Sequence, residues 1–341
     1  MSAVTSVDVA IVGGGMVGAS LALALGREGF SVAVLEASSF EEPAADSPPA
    51  LRVSAINAAS SRFFTRIGAW QGMVNRRVTP YRGMDVWDSG SSGQVRFDAA
   101  ELHRDELGHI IENWVVHHAL LGAVKQQPSV QWLAPVVLEG LERDEQQARL
   151  TLEDGRSIQC KLAVAADGAR SRLRELAGIE VKRREYDQRA VVTVVETQQP
   201  HQSTAWQRFL PEGPLAFLPL WNGQSSIVWS TSPHRAEQLL ACDEAEFRHH
   251  LGAALDHRLG EIVSCSERAA FPLARQDAEQ YVAERVALVG DAAHVVHPLA
   301  GQGANLGFMD AASLFEVLAD SRTRGRDIGR EPVLRAYQRW R

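Results

Sequence analysis

Hydrophobic and polar positions near the N-terminus fall in a strand, turn, helix, strand order. Residues 7–12 form a short apolar run suited to a buried strand, and residues 16–27, rich in Ala and Leu, read as a helix. Residues 31–36 supply a second strand. A βαβ unit in this position implies a parallel sheet with helices on its faces. Between 41 and 49, three prolines and several acids predict a surface loop.

Helical patterning returns over 54–67 and 113–124, whereas 148–153 alternates like a strand. Asp154-Gly155 then turns the chain into 156–162, a hairpin pattern, and 162–166 forms an apolar strand. Stretches 190–195, 215–220 and 225–230 read as strands of a different sheet, followed by a helix over 243–255. The strand 285–289 and a helix after Gly303 resume the βα style. Residues 334–341 look helical without a stop signal, as expected of a truncated C-terminus. The expected fold class is α/β with an α+β second domain. A Rossmann-like domain is discontinuous over 1–75, 103–180 and 276–341, and a mixed-sheet domain takes 76–102 and 181–275.

A length of 341 residues suits two packed units. The net charge of −7 opposes attraction to phosphate backbones and argues against a nucleic-acid partner. Three scattered cysteines, Cys160, Cys242 and Cys265, offer neither a disulfide framework nor a Cys-x-x-Cys metal site, which fits a reducing cytoplasm. The N-terminus carries no export signal, and no run of about 18 apolar residues is long enough to span a bilayer. Attachment to a membrane surface stays compatible with this pattern.

Three segments carry candidate chemistry. In Gly13-Gly14-Gly15-Met16-Val17-Gly18 the first glycine of the Gly-x-Gly-x-x-Gly pattern allows a tight turn. The second lets the backbone approach a pyrophosphate, and the third lets helix and strand pack closely. Unpaired N–H groups and the helix dipole then favour an anion at the helix start. Glu36, at the end of the second strand, is placed to accept hydrogen bonds from an adenosine ribose and would repel a 2′-phosphate. FAD or NAD fits this loop, whereas NADP does not. The second segment is Asp167-Gly168-x-x-Ser171-x-x-Arg174, which taken alone reads as a simple turn or as part of a site. The third is Gly290-Asp291-Ala292-Ala293-His294, continuing to Pro298, Gly301-Gln302-Gly303-Ala304 and Asn305. A carboxylate at the C-terminal end of a strand, Asp291, suits the hydroxyls of a ribityl chain. The Gly301-Gln302-Gly303 turn opens a helix whose N–H groups could stabilise charge on a reduced flavin.

With these three segments in order, the chain resembles the class A flavoprotein monooxygenases of the aromatic-hydroxylase type, and the resemblance runs along nearly the whole chain. It narrows to the ubiquinone-biosynthesis hydroxylases, and within them to those acting on 2-polyprenylphenols. The residues that carry it are 51–57 (Leu-Arg-Val-Ser-Ala-Ile-Asn), 108–113 (Gly-His-Ile-Ile-Glu-Asn) and 297–310. The resemblance implies FAD as cofactor, its ADP half held by Gly13, Gly15, Met16, Val17, Gly18 and Glu36. It places Gly290 and Asp291 at the ribityl chain, and Pro298, Gly301, Gln302, Gly303, Ala304 and Asn305 against the ring system. Asp167 belongs to a stretch linked to both FAD and the pyridine nucleotide. Arg52 and Asn113 fall where such proteins approach the flavin, or else are a surface ion-pair arginine and a helix-capping asparagine.

NAD(P)H is the implied co-substrate, with O2 added to the flavin as a hydroperoxide whose distal oxygen attacks a phenol ring. The implied substrate is a lipophilic prenylated phenol, handled in the cytoplasm, peripheral to the inner membrane and within a biosynthetic complex. No catalytic side chain and no metal are expected. His294 and His297 lack a specific ligand pattern and read as loop histidines beside the flavin. Trp206, Phe209, Phe217, Trp221 and Trp229 either line an apolar substrate tunnel or fill a core. Competing readings are another flavoenzyme of the same fold, such as an epoxidase or prenyl reductase, and a FAD-binding assembly member of a complex.

Overall fold

The computed structural model describes residues 4–44, 46–297, 301 and 303–341. Strand β1 (Val4–Val12), helix α1 (Met16–Arg27) and β2 (Val32–Leu35) form the expected opening unit. Next come β3 (Val53–Asn57), α2 (Ala58–Arg66), α3 (Trp70–Val74), β4 (Val78–Tyr81), β5 (Gly83–Asp88) and β6 (Gln94–Asp98). Then follow β7 (Gly108–Glu112), α4 (Asn113–Val124), β8 (Val130–Leu133), β9 (Leu138–Arg143), β10 (Ala148–Leu152), β11 (Ser157–Ala165) and α5 (Arg172–Leu176).

The long β12 (Val181–Thr197) precedes β13 (Thr204–Leu210), β14 (Gly213–Pro219), β15 (Ser225–Thr231), α6 (Pro233–Ala241) and α7 (Glu244–Ala254). The remaining elements are β16 (Ile262–Cys265), β17 (Ala269–Ala278), β18 (Val282–Ala283), β19 (Val286–Leu288), β20 (His294–Val295), α8 (Gly303–Thr323) and α9 (Glu331–Trp340).

Two expectations are corrected. Residues 54–67 are not one helix, because 53–57 pair with β7 as a strand and the helix starts only at Ala58. Asn57 marks the boundary, its side chain accepting from the Ala59 and Ser60 amides, which is how an asparagine caps a helix start. Residues 156–162 and 162–166 are likewise not separate strands. They merge in β11, whose first half pairs with β10 while the strand as a whole runs parallel to β1.

The strands form three sheets. In the first, β19, β11, β1, β2 and β8 lie side by side in parallel, and the hairpin partners β10 and β9 extend from β11. Its strands are apolar on both faces because α1, α4 and α8 cover one side and a second cluster, including Leu150, Ile158 and Leu173, fills the other. The second sheet has the order β20-β17-β12-β15-β14-β13-β5-β6 and is antiparallel except where β13 meets β5. Helices α6 and α7 cover one face of it, where Phe247 of α7 joins Phe217 and Trp229 of the sheet in one core. A third sheet, β3-β7-β4, is small. The two segments 51–57 and 108–113 thus meet in space, with Val53 opposite Glu112 and Asn57 opposite Gly108.

Candidate functional site

Parallel strands leave their C-terminal ends at one edge, where open α/β sheets bind ligands. β1 ends there in Gly13, which has φ +101°, a conformation glycine adopts without strain. A Cβ on Gly13 would overlap the Ala166 carbonyl oxygen, and one on Gly18 would overlap the Gly13 carbonyl oxygen. Both glycines are therefore demanded by the fold itself. Gly15 differs: a Cβ there would meet nothing within 4 Å. As N-cap of α1 it also brings no side chain to the first turn, so the amides of Met16 and Val17 are left for an incoming acceptor. An open cradle at an uncapped helix start fits a pyrophosphate.

Glu36 lies beside this cradle. Its Oε2 accepts from the Gly14 amide at 2.7 Å and its Oε1 from Ser38 at 2.8 Å. A carboxylate has about four lone-pair sites, so acceptor capacity remains for ribose hydroxyls. His117, which the pattern of residues did not single out, donates from Nε2 to the Gly14 carbonyl at 2.7 Å and packs edge-on to Phe40. Burial holds its pKa below the usual histidine value, so the neutral ring stays the loop's hydrogen-bond partner.

Asp167 and its followers form a capping network. Asp167 accepts from the Ser171 hydroxyl at 2.5 Å and from the Leu173 amide at 3.1 Å, while Ser171 caps α5 by accepting from the Arg174 amide at 3.0 Å. Burial pushes the Asp167 carboxyl above its ordinary pKa, against those hydrogen bonds. Arg174 is buried and donates to the carbonyls of Ala292 and Ala169, each at 3.0 Å. The second segment thus clamps the third, and Arg174 is the tie.

In that third segment Gly290 has φ +61°, and its amide donates to Asp310 Oδ2 at 2.8 Å. The same oxygen is 2.7 Å from His294 Nε2, so His294 is committed to Asp310 rather than aimed at a ligand. Asp291 is exposed. The surrounding protein nevertheless raises its pKa by desolvation, against the attraction of His294 and Arg52. Arg52 belongs to the same electrostatic neighbourhood and stacks over the Phe271 ring at 5.4 Å. Asn113 is the first residue of α4 and not its cap: its amide donates to the Arg52 carbonyl, and its Oδ1 accepts from Ser54 at 2.7 Å.

Gly301 has φ +65° and lies so near β3 that a Cβ would sit 3.1 Å from the Ala55 amide. At Gly303, the start of α8, a Cβ would meet nothing within 4 Å, the same openness as at Gly15. Ala304 packs on the core. Asn305 is buried, holding Ala55 O, the Asn57 amide and Ser60 Oγ, so its side chain fixes α8 to β3 and α2. Pro298 and Gln302 lie outside the described residues.

Across β3 from Gly301 is a small apolar cavity of about 10 Å³ between the small sheet and the second sheet. Its wall includes Ala55 and Ile110, which are cross-strand partners, together with Tyr81, Met84, Gln207 and Leu218. Of the aromatic residues expected to line a tunnel or fill a core, Phe217 and Trp229 are core beneath α6 and α7. Trp206 reaches both that core and the cavity, whereas Phe209 and Trp221 are exposed.

A dinucleotide cradle, a carboxylate at a neighbouring strand end and a second open helix start define a FAD-binding protein. The family described as a FAD binding domain matches residues 6–340, and the chain belongs to it, as a FAD-dependent monooxygenase of the ubiquinone-biosynthesis hydroxylase group. Among its relatives is the 3-demethoxyubiquinol 3-hydroxylase of Escherichia coli, 42% identical over 334 residues, covering 97% of this chain and 84% of that protein. The human mitochondrial ubiquinone biosynthesis monooxygenase COQ6 is 35% identical, covering 98% of this chain and 81% of that protein. Among solved structures, PqsL of Pseudomonas aeruginosa superimposes with a TM-score of 0.82 at 26% identity, over 99% of this chain and 92% of that one. The p-nitrophenol 4-monooxygenase PnpA of Pseudomonas putida shares the fold, with a TM-score of 0.78 at 23% identity, over 98% and 84% of the two chains.

Proposed function

We propose that this enzyme hydroxylates the aromatic ring of a lipophilic prenylated phenol in ubiquinone biosynthesis, using NAD(P)H and O2. The observation that carries the reading is the pairing of β3 with β7 beside Gly301, where a Cβ on Gly301 would lie 3.1 Å from the Ala55 amide. β3 and β7 are the two segments most like the ubiquinone hydroxylases, and their place next to the turn expected at the flavin supports the substrate class.

Bound FAD supplies the electron transfer from NAD(P)H and the activation of O2. The side chains bind, orient and exclude water. The Met16 and Val17 amides and the Gly13–Gly18 backbone would hold the pyrophosphate, and Glu36 the adenosine ribose. Asp291 would take the ribityl hydroxyls, with Arg52 nearby to balance its charge. The Gly301–Ala304 turn would face the ring system. Asp167, Asn113 and Asn305 would serve indirectly, by fixing α5, β3 and α8 around the cofactor. Exclusion of water around the bound cofactor would favour productive oxygen transfer over wasteful peroxide release. The proposed division assigns FAD to 1–75, 103–180 and 276–341 and the substrate to 76–102 and 181–275. Membership of the two large sheets supports it in outline, although β17 straddles one boundary and β20, within 276–341, joins the second sheet beside it.

A prenylated substrate partitions into lipid, so we place the enzyme in the cytoplasm in peripheral contact with the inner membrane, within a ubiquinone-biosynthesis complex. No helix among the described residues is long and apolar enough to cross a membrane. Mass spectrometry of reactions containing FAD, NAD(P)H, O2 and prenylated phenols tests the reading. A ring-hydroxylated product is expected, and NAD(P)H consumption that yields only peroxide with every phenol overturns it.

A further inference from the structure

Between β20 and Gly301 the chain is tied to the second sheet through His297. β20 pairs with β17, Val295 opposite Gln276, and two residues later His297 reaches past β17 to β12, where its Nε2 lies 3.2 Å from Gln188 Oε1. The Gln188 amide is itself oriented, because its nitrogen donates to the Glu212 carbonyl in the β13–β14 turn. Its oxygen can only accept, so the imidazole proton sits on Nε2. His297 Nδ1 is buried and has no hydrogen-bond partner among the described residues. Burial also moves the pKa of this ring below the usual histidine value. A protonated ring would bury a second N–H with nothing to receive it, so the surroundings suit the neutral form. Two local distortions make room for that ring. β12 shifts register between Glu185 and Gln188, Asp187 has φ +51°, and Tyr186 comes edge-on to the imidazole with ring centroids 5.2 Å apart. At the turn, Gly213 has φ +148°, and a Cβ there would lie 2.5 Å from the Ser230 carbonyl oxygen and 3.0 Å from the Gln188 nitrogen. A bulge and an obligatory glycine thus converge on one side chain. Four residues further on, Gly301 abuts β3 at Ala55. The stretch expected at the flavin ring is therefore anchored on the second sheet at one end and on the small sheet at the other.

We propose that His297 is a positioning residue: held by Gln188 and Tyr186, it sets where the flavin-facing stretch stands relative to the second sheet. The assignment rests on the proposed placing of the Gly301 turn at the flavin ring. N–H groups at the start of α8 stabilise charge on a reduced ring only while they stay aimed at it, and a stem freed from Gln188 lets that aim drift. Oxygen transfer to a substrate lying against the second sheet depends on the same alignment. The Gly13–Gly18 loop and Asp291 are separate from this tie, so FAD binding itself does not depend on it.

The test uses the full chain loaded with FAD and measures the two-electron potential of the flavin in wild type, His297→Leu, His297→Gln and Gln188→Leu. A glutamine side chain carries an N–H at about the reach of imidazole Nε2, so His297→Gln keeps the donor to Gln188. His297→Leu and Gln188→Leu should each lower the potential by about 30 mV, a roughly tenfold loss of preference for reduced flavin. Their affinity for oxidised FAD should stay within about twofold of wild type. His297→Gln should stay within about 10 mV, or about twofold. In turnover with 2-farnesylphenol, kcat for ring hydroxylation should fall about tenfold in the two leucine variants while KM stays within about twofold, the lost turnover appearing as peroxide. If His297→Leu does not load FAD, Gln188→Leu carries the comparison. Potentials within about 10 mV of wild type in the leucine variants overturn the proposal. So does His297→Gln falling as far as His297→Leu, which marks packing alone. Lowered potentials with rescue by His297→Gln, but no hydroxylated product from wild type, would sustain the positioning role and reject the reaction.

Discussion

Replacing Gly15 by alanine separates what the fold needs from what FAD needs. Gly15 has φ −64° and ψ −175°, which alanine adopts freely, and the added methyl would touch no atom within 4 Å. Alanine is the poorer N-cap, but it also lowers the entropy of the unfolded chain by about 0.4–1 kcal/mol, so the apoprotein should change by no more than about 0.5 kcal/mol. The methyl occupies the space through which a pyrophosphate approaches the amides of the first turn. Losing one hydrogen bond to a charged group removes about 1.5–3 kcal/mol, or roughly tenfold to a hundredfold in FAD affinity. Gly18→Ala should behave in the opposite way. Its methyl overlaps the Gly13 carbonyl oxygen, and such overpacking lowers apoprotein stability by about 1–3 kcal/mol. Thermal unfolding of the two apoproteins and fluorescence titration with FAD measure both quantities. FAD affinity within about twofold of wild type for Gly15→Ala would refute the cradle argument. So would an apoprotein as unstable as Gly18→Ala.

Three further outcomes follow from the same geometry. Arg174→Leu leaves the buried Ala292 carbonyl without its donor and should lower stability by roughly 2–4 kcal/mol in urea unfolding, with FAD held less tightly; a loss below about 1 kcal/mol would contradict the clamp. Gly108→Ala should overlap the Ile56 carbonyl oxygen and crowd Tyr81, lowering stability by about 1–3 kcal/mol in urea unfolding; a loss below about 0.5 kcal/mol would be the contrary result. Burial pushes the Asp327 carboxyl up, but the bonds from Arg285 outweigh it and hold the pKa below 3.8. The stability this aspartate contributes is therefore present above that value and is lost as pH falls through the folded pKa. Because Asp327 is 40% exposed, Asp327→Asn should cost only about 1 kcal/mol at neutral pH, shrinking toward zero in strong acid; a difference independent of pH would contradict the assignment.

The opening strand, helix and strand are legible because apolar period, glycine spacing and a terminal acid agree over one short stretch, and the structure places α1 on the expected residues. Residues 53–57 are harder. Their helical pattern is local, whereas their strand pairing depends on β7, about fifty residues further on. The joined strand β11 is obscured in the same way, since its two halves have different neighbours. Candidate site residues divide along this line. Glu36 and Gly15 reach the cradle through local geometry and Asp167 becomes structural through its own capping turn, while Arg174 and Asn305 do so through contacts with distant segments.

Incorporation of isotopically labelled oxygen into the ring tests the central claim most directly. With FAD-loaded enzyme, NAD(P)H, labelled O2 and a prenylated phenol, one labelled oxygen is expected on a ring carbon of the product, with none entering from water. A product that carries oxygen from water, or NAD(P)H oxidation that delivers label only to peroxide, would contradict it.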